Sequence, residues 1–276
     1  MMKDIMKDIP LGKHTDYVSQ YDKSLLFPIA RTENRARLGI TANAALPFTG
    51  VDIWTGYEVS WLNAKGKPEV AIVEFVIPAE APNIVESKSF KLYLNSFNQT
   101  KVESREKLQA MLQDDLSEGF GASIEVNLFA VDDFPVQPQP AAVLIDELDV
   151  TCEVYQPDAE LLRVNQDVND EGVLCSNLLK SNCPVTGQPD WATVWVKYKG
   201  SQIDQASLLQ YIVSFREHSD FHEHCVERIY CDLLAKGQFE ELMVTARYTR
   251  RGGLDINPVR SLKSLSESPI GRTARQ

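Results

Sequence analysis

The sequence lacks several features that would assign its class at once. No stretch of about 18 apolar residues occurs, which excludes a helix that spans a bilayer. No long run of Lys or Arg occurs and the formal net charge is -11, which argues against an extended nucleic-acid surface, since such surfaces neutralise phosphates with clustered basic side chains. The start, MMKDIMKDIPLGKHTDY, has no apolar signal-peptide core, and we therefore expect a cytoplasmic protein.

The sequence has few cysteines, and no two of them form a CxxC motif. The five cysteines contain no CxxC pair, and an odd number without an export signal indicates free thiols rather than a disulfide framework. A free cysteine most often fills space in a core. We assign that role to four of them: Cys152, Cys175, Cys225 and Cys231.

A proline-rich segment, VDDFPVQPQPAA at 131–142, divides the chain near its middle. It predicts one module over residues 1–135 and a second over 136–276. In the first half the alternating strands PEVAIVEFVIP and SIEVNLFAV flank two helical stretches, 86–98 and 104–118. In the second half WATVWVKYKG and ELMVTARYTRR flank two more, the later at 221–235.

The two halves also share short sequence motifs. GKPEVA at 66–71 matches GQPDWA at 187–192, and NSF at 95–97 matches VSF at 213–215. This predicts a duplicated unit of strands and paired helices, and an α+β fold in which antiparallel sheets carry the helices on one face. Counting back from the shared Gly-x-Pro-acid step places Leu62 at the position of Cys183, so the cysteine belongs to one copy only.

Cys183 is followed by a stiff turn and then by Asp190, in CPVTGQPD. A thiolate is a nucleophile, and a turn with two prolines and a glycine can return the aspartate beside the sulfur as a proton donor. A buried cysteine at a loop end, with Asp190 capping the turn, explains the same spacing. The local pattern leaves both interpretations open.

The segment HSDFHEHC at 218–225 precedes an apolar helical stripe. His222 lies four positions before Val226 and should face the packed side, where an imidazole can transfer protons near neutral pH. Asp220 three positions before Glu223 is a capping-box pattern, which explains Glu223 without a ligand. Cys183, His222, His224 and Cys225 are metal-ligand types, but they lack compact ligand pairs, and we predict no metal.

The stretch ESKSFKLYLNSF at 86–97 resembles the signature of the nitrile reductases of queuosine biosynthesis, the NADPH-dependent 7-cyano-7-deazaguanine reductases. CPVTGQPDWA and SFREHSDFHEH are similar to the family's other two motifs. The signature lies in the first copy and the other motifs in the second, as in the family's two-module branch. The second copy has Asp204 where the first has the signature's Glu86.

The resemblance covers the chain from about residue 26 to 260. It implies the tunnelling fold, in which antiparallel sheets of tandem modules and partner subunits form barrels, with the site at a junction of modules. It also implies a homodimer that acts on 7-cyano-7-deazaguanine in tRNA modification, with NADPH as co-substrate and no metal. No Gly-x-Gly-x-x-Gly loop occurs, so NADPH is expected outside any Rossmann unit. Neither nucleic acid nor membrane is an expected partner.

The resemblance also implies roles for individual residues. Cys183 attacks the nitrile to form a covalent thioimide, Asp190 donates the proton, and His222 assists proton movement. Three carboxylate or hydroxyl side chains are expected to contact the substrate: Glu223, Glu86 and Ser87. Five residues are expected to contact the cofactor: Lys88, Ser89, Lys91, Arg250 and Arg251.

Two rival functions fit parts of the same pattern. One is a zinc-dependent hydrolase of the same fold, similar to the pterin-forming cyclohydrolases, with Cys and His as ligands. The other is a purine-binding or assembly module without chemistry, for which replacing Cys183 would change nothing.

Overall fold

A computed structural model describes residues 17–42, 44–136, 138–265 and 271–276. Across these residues, no helix is both long and apolar enough to cross a membrane. Except for Tyr17, the N-terminal stretch on which the signal-peptide prediction rests lies outside the described residues.

Strands outnumber helices in the described part of the chain. The strands are β1 Pro28–Ala30, β2 Thr49–Leu62, β3 Pro68–Pro78, β4 Asn83–Val85, β5 Glu125–Phe129, β6 Val143–Leu144, β7 Val164–Asn182, β8 Pro189–Ile203, β9 Phe239–Tyr248 and β10 Leu254–Ser261. The α-helices are α1 Thr32–Arg37, α2 Ser87–Ser96, α3 Arg105–Phe120, α4 Gln205–Ser214 and α5 His222–Lys236. The predicted helices therefore form within about two residues of the expected ends.

Strand β3 forms as its alternating pattern predicts. Ala71, Val73, Phe75 and Ile77 are completely buried on one face. The strand pairs antiparallel with β5, and β7, β8, β9 and β10 are also paired antiparallel in turn. Strands β6 and β7 run parallel. The predicted α+β class with antiparallel sheets is confirmed.

The described residues fall into two compact units, each of which takes a short segment from the other half of the sequence. The first unit holds residues up to Asn34, Ile53–Pro135 and Arg251–Asp255. The second holds Arg35–Asp52, Val136–Arg250 and Ile256–Gln276. Strand order is β5-β3-β2 in the first unit and β10-β9-β8-β7-β6 in the second. The assignment of tunnelling modules to 1–135 and 136–276 stays a prediction.

Internal hydrogen bonds repeat between the units, in support of the duplication. Tyr93 Oη in α2 donates to Asp115 Oδ2 in α3 over 2.7 Å. In the second unit Tyr211 Oη in α4 donates to Asp232 Oδ2 in α5 over 2.6 Å. Such a partner stabilises a buried phenol, so each copy uses one tyrosine and one aspartate to join its two helices.

The counterpart of Cys183 in the first copy is Asn63, and the prediction of Leu62 is wrong. Leu62 and Asn182 occupy the same place, because each forms an isolated parallel bridge, to Lys101 and Ser219 respectively. The turn after Cys183 is one residue longer: Cys183 N–H donates to Gln188 O, whereas Asn63 N–H donates to Lys67 O. Counting back from the shared proline therefore ends one residue early.

Candidate active site

The turn between β7 and β8 fixes the position of Cys183. Its N–H donates to Gln188 O over 2.8 Å, and its carbonyl accepts from Gly187 N over 2.9 Å. Gly187 has φ +68°, a left-handed conformation that glycine adopts without a Cβ clash. The Cys183 side chain is half-buried. The thiol therefore sits on a closed turn and is partly accessible.

Asp190 lies across from the end of β7. Its Cα partner is Ser181, and directly opposed residues of an antiparallel pair place their side chains on one face. Two residues further along β8, Ala192 continues the same face and is fully buried. Asp190 is only 3% exposed, so its carboxyl lies at the end of the core-facing row of the sheet.

A short bridge joins the end of β7 to the segment before α5. Asn182 N–H donates to His218 O over 2.8 Å, and Asp220 N–H donates to Asn182 O over 3.2 Å. Cys183 follows Asn182 directly, and His222 begins α5 two residues after Asp220. The bridge thus brings together two predicted motifs that are about forty residues apart in sequence.

His222 contacts two side chains from the sheet. Its Nε2 lies 3.5 Å from Asp190 Oδ2, and both side chains are largely buried. Its ring stacks on the ring of Tyr248 in β9, with 3.7 Å between centroids and 2° between planes. A carboxyl and an imidazole at this distance can hold and exchange a proton beside the Cys183 turn.

The predicted capping box at Asp220 is wrong. The residue at the N-cap of α5 is Phe221, which makes no capping hydrogen bond with its side chain. Asp220 Oδ1 instead accepts from Phe221 N over 2.8 Å and lies 3.2 Å from His224 Nδ1. Glu223 is therefore not used as a capping-box partner. It is 2% exposed and lies in the first turn of α5, where the helix dipole favours a carboxylate.

The histidines on either side of Asp220 determine its charge. Burial acts to raise the pKa of Asp220, but hydrogen bonds with His218 and His224 outweigh it and hold the pKa well below its usual range. His218 Nε2 lies 3.7 Å from Asp220 Oδ2. Asp220 thus anchors the segment that presents His222 and Glu223.

Three of the other thiols are poorly suited to nucleophilic attack, because burial keeps them protonated. Burial raises the pKa of Cys175 to about 11 and that of Cys231 to about 12. Cys225 is completely buried, and burial also raises its pKa. All five cysteines are free. The predicted packing role of these three therefore agrees with the raised pKa of each thiol, which keeps it neutral at pH 7.

In the first unit Glu86 caps helix α2. Its carboxylate oxygens accept from Lys88 N and Ser89 N, each over 2.8 Å, and the residue is 1% exposed. Burial raises the pKa of Glu86, while the two N–H donors act to lower it. Ser89 Oγ donates to Glu86 O over 2.7 Å and accepts from Phe27 N over 3.0 Å. Capping thus accounts for Glu86 and Ser89, and Asp204 caps α4 similarly.

The first unit brings Lys91 to the turn that follows β9. Arg251 and Leu254 bond to each other's backbone across Gly252 and Gly253, which have φ +60° and +77°. A Cβ added at Gly252 would lie 3.4 Å from Lys91 Cδ, so the lysine stem lies directly over this glycine. Ser87, Lys88, Lys91 and Arg251 are half-buried and Arg250 is exposed.

Two contacts were missed from sequence. The strand pattern gives no sign that Tyr248 packs on His222. The capping-box interpretation of Asp220 misses its two histidine partners. The four-residue spacing of Asp220 and His224 is the available signal for the second contact, because a side chain just before a helix can reach the residue four positions further on.

Metal-ligand side chains do not converge in the described ranges: no group of three or more His, Cys, Asp or Glu could hold a metal ion there.

Comparisons with known proteins match both halves of the chain. A family model described as "Nitrile reductase, 7-cyano-7-deazaguanine-reductase N-term" matches residues 17–128, and one described as "QueF-like protein" matches residues 189–267. The chain is 54% identical over 273 residues to the NADPH-dependent 7-cyano-7-deazaguanine reductase of Bordetella avium, covering 98% of this chain and 99% of that protein. It is 54% and 55% identical to the proteins of the same name from Cupriavidus metallidurans and Ralstonia nicotianae, each over 97% of this chain and 98% of the relative.

Proposed function

Because the chain belongs to the family of NADPH-dependent 7-cyano-7-deazaguanine reductases, we propose that it reduces the nitrile of 7-cyano-7-deazaguanine to the aminomethyl group in a step of queuosine biosynthesis. The reaction proceeds through a covalent thioimide on Cys183. The observation that carries the mechanism is the Asp190–His222 contact of 3.5 Å beside the turn that holds Cys183.

Thioimide formation is the first step. The Cys183 thiolate bonds to the nitrile carbon, one C–N π bond breaks, and the nitrogen takes a proton from Asp190. His222 Nε2 lies close enough to Asp190 to return a proton to it. Covalent attachment divides a difficult reduction into easier steps and holds the reacting carbon in place.

Two reductions and one further proton complete the conversion. NADPH, when bound, would supply a hydride to the thioimide carbon and, from a second molecule, to the iminium carbon that remains when the Cys183 thiolate leaves. The first reduction leaves negative charge on nitrogen, and Asp190 with His222 delivers the proton that neutralises it, so the second reduction gives the neutral amine directly. Water must be kept from the thioimide, which it would otherwise hydrolyse.

Substrate recognition is assigned to carboxylates. Glu223 accepts hydrogen bonds from the N–H edge of the deazaguanine, as a buried carboxylate can. Glu86 and Ser87 are proposed as further contacts. The two oxygens of Glu86 already accept from α2, and carboxylate oxygens have lone pairs for a further donor.

The donors in the first unit fit the phosphates of NADPH. The Lys91 side chain lies over the turn formed by Gly252 and Gly253, next to Arg251. Two positive charges therefore lie beside a backbone without side chains, which a phosphate group can approach closely. We assign phosphate binding to Lys88, Lys91 and Arg251, with Arg250 exposed alongside in sequence. The predicted cofactor contact of Ser89 is the least supported, because its hydroxyl is used within the unit. The homodimer stays a prediction, to be checked by sedimentation.

The deciding experiment is intact-mass analysis of the protein mixed with 7-cyano-7-deazaguanine alone. We expect an adduct on the parent protein and on Cys152→Ala, a matched change at another half-buried thiol of the same unit. Cys183→Ala should form none. Two NADPH should then be consumed for each substrate reduced.

Full reducing activity in Cys183→Ala would refute the thioimide route. Binding without any reduction by the parent protein would favour the purine-binding module. Turnover that requires added zinc would favour the hydrolase.

A further inference from the structure

Among the aromatic pairs of the described residues, Tyr248 and His222 have the shortest distance between ring centroids and the smallest angle between ring planes. Its ring lies parallel to that of His222, 3.7 Å between centroids, and the residue is completely buried. The contact covers one face of the imidazole while Nε2 stays directed at Asp190. A ring held flat on one face cannot rotate about χ2 without losing this packing.

The tyrosine is present only in the copy that carries the histidine. In β8 and β9 the register places Tyr248 opposite Ala192. In β3 and β5 the register ends at Ile72–Phe129, and counting one residue beyond it pairs Ala71 with Ala130. Ala71 and Ala192 are counterparts in the repeated GKPEVA and GQPDWA. Ala130 therefore stands where the second copy has Tyr248.

Besides its neighbour Ala192 in β8, the backbone of Tyr248 is held by two amide side chains. Tyr248 N–H donates to Asn257 Oδ1 over 3.1 Å, and Gln276 Nε2 donates to Tyr248 O over 3.1 Å. Gln276 Nε2 also donates to Asn257 Oδ1 over 2.8 Å. Both amides are buried. Buried and mutually bonded amides hold a unique geometry, so the ring position is set on two sides.

We propose that Tyr248 is a positioning residue that holds the His222 imidazole against Asp190, and that Asn257 and Gln276 fix Tyr248 in turn. The inference rests on the proposed role of His222 in proton transfer. It assigns the effect to the aromatic ring and not to the hydroxyl, which lies beside Ser181 and Cys225 but makes no well-formed hydrogen bond within the described residues.

Two variants separate the ring from the hydroxyl. Tyr248→Phe keeps the stack and should retain kcat within about threefold. Tyr248→Leu removes it, and kcat for nitrile reduction should fall by roughly 10- to 100-fold, as expected when a catalytic group is displaced by about an ångström, with little change in KM for the nitrile. Equal loss in both variants would overturn the proposal.

A control separates positioning from a general loss of stability. Tyr230→Leu removes another completely buried ring of the same unit, which packs on Phe48 and not on His222. It should lower the thermal midpoint comparably without the fall in kcat. In a His222→Gln background, Tyr248→Leu should have no further effect on kcat, because its influence passes through the imidazole. Additive losses would overturn the proposal.

One readout does not depend on the reaction. The chain has four histidines, and His222→Gln identifies the His222 ring signals in a spectrum of protein with ¹³C-labelled histidine. A ring stacked at this distance shifts those signals upfield, so the shift should persist in Tyr248→Phe and disappear in Tyr248→Leu. If the parent forms no adduct but shows the shift, the proposed function fails while the contact stands. If the parent shows no shift, the positioning role is refuted.

Discussion

Single residues of the second unit make contacts that the sequence around them does not predict. Asp220 anchors the chain before α5 by accepting from Phe221 N and by lying within 3.2 Å of His224. His222 lies between a carboxyl and an aromatic ring from two different strands. For single residues, the chemistry of the site depends more on which buried side chains contact each other than on which residue types the sequence contains.

Asp220→Asn should lower the free energy of unfolding at pH 7 by about 1–3 kcal/mol, because a charged hydrogen-bond partner is lost from a buried position. The folded-state pKa of Asp220 is depressed, so its stabilisation is present above the ordinary Asp pKa of about 4 and is lost as the pH falls below it. Urea unfolding at a series of pH values measures this. A difference from the parent that does not shrink in acid would contradict the assignment.

Elements of the two copies provide matched pairs for experiment. Both hairpin turns place a left-handed glycine before the shared proline, Gly66 with φ +81° and Gly187 with φ +68°. Both capped helices begin with an acidic N-cap, Glu86 in α2 and Asp204 in α4. A change in one copy can therefore be compared with the same change in the other, where only one copy has the proposed role.

Gly187→Ala and Gly66→Ala should each lower stability by about 1–2 kcal/mol, since a Cβ in a left-handed conformation is strained while neither site is crowded. Only Gly187→Ala should slow adduct formation, because its turn holds Cys183. Intact-mass time courses beside thermal unfolding test this. Equal rates for the two variants would show that the turn does not position the thiol.

Glu86→Ala and Asp204→Ala should each cost about 1 kcal/mol of stability, the usual value of an N-cap. If Glu86 also contacts the substrate, Glu86→Ala alone should raise KM for the nitrile. Steady-state kinetics of the two variants decide the point. An equal KM in the two variants would show that Glu86 acts only as the N-cap of α2 and does not contact the substrate.

Across each whole unit, contacts between distant segments matter most. In the second unit Glu227 of α5 binds Arg35 over 2.8 Å and Arg260 of β10 over 2.9 Å, and Arg260 binds Asp52 over 2.7 Å. Although burial acts to lower the pKa of Arg260, the carboxylates of Asp52 and Glu227 raise it. This network joins the short segment 35–52 to the rest of the unit.

Glu227→Gln should lower the free energy of unfolding by about 3–5 kcal/mol, because two buried guanidinium groups lose their shared carboxylate. Glu160→Gln breaks a solvent-exposed contact with Lys236 and should change stability little. Chemical unfolding of both variants provides the comparison. A small effect of Glu227→Gln would mean that the buried charges are compensated elsewhere.

The sequence by itself predicted four of the strands (β3, β5, β8 and β9), the paired helices, the duplication and the residue types of the site. Local periodicity decides which face of an element is apolar, and Ala71 to Ile77 in β3 and the helices α2 and α3 follow it directly. The motif residues Cys183, Asp190 and His222 carried the family resemblance without any knowledge of distance.

Only the tertiary structure decided which of these residues meet. One additional residue in the turn after Cys183 changed its counterpart from Leu62 to Asn63, because register depends on turn length. Tyr248 lies beneath His222 and Lys91 lies over Gly252 because strand register and helix packing bring distant segments together. A periodic pattern fixes the face on which a side chain lies, but the partner on that face is set by long-range packing.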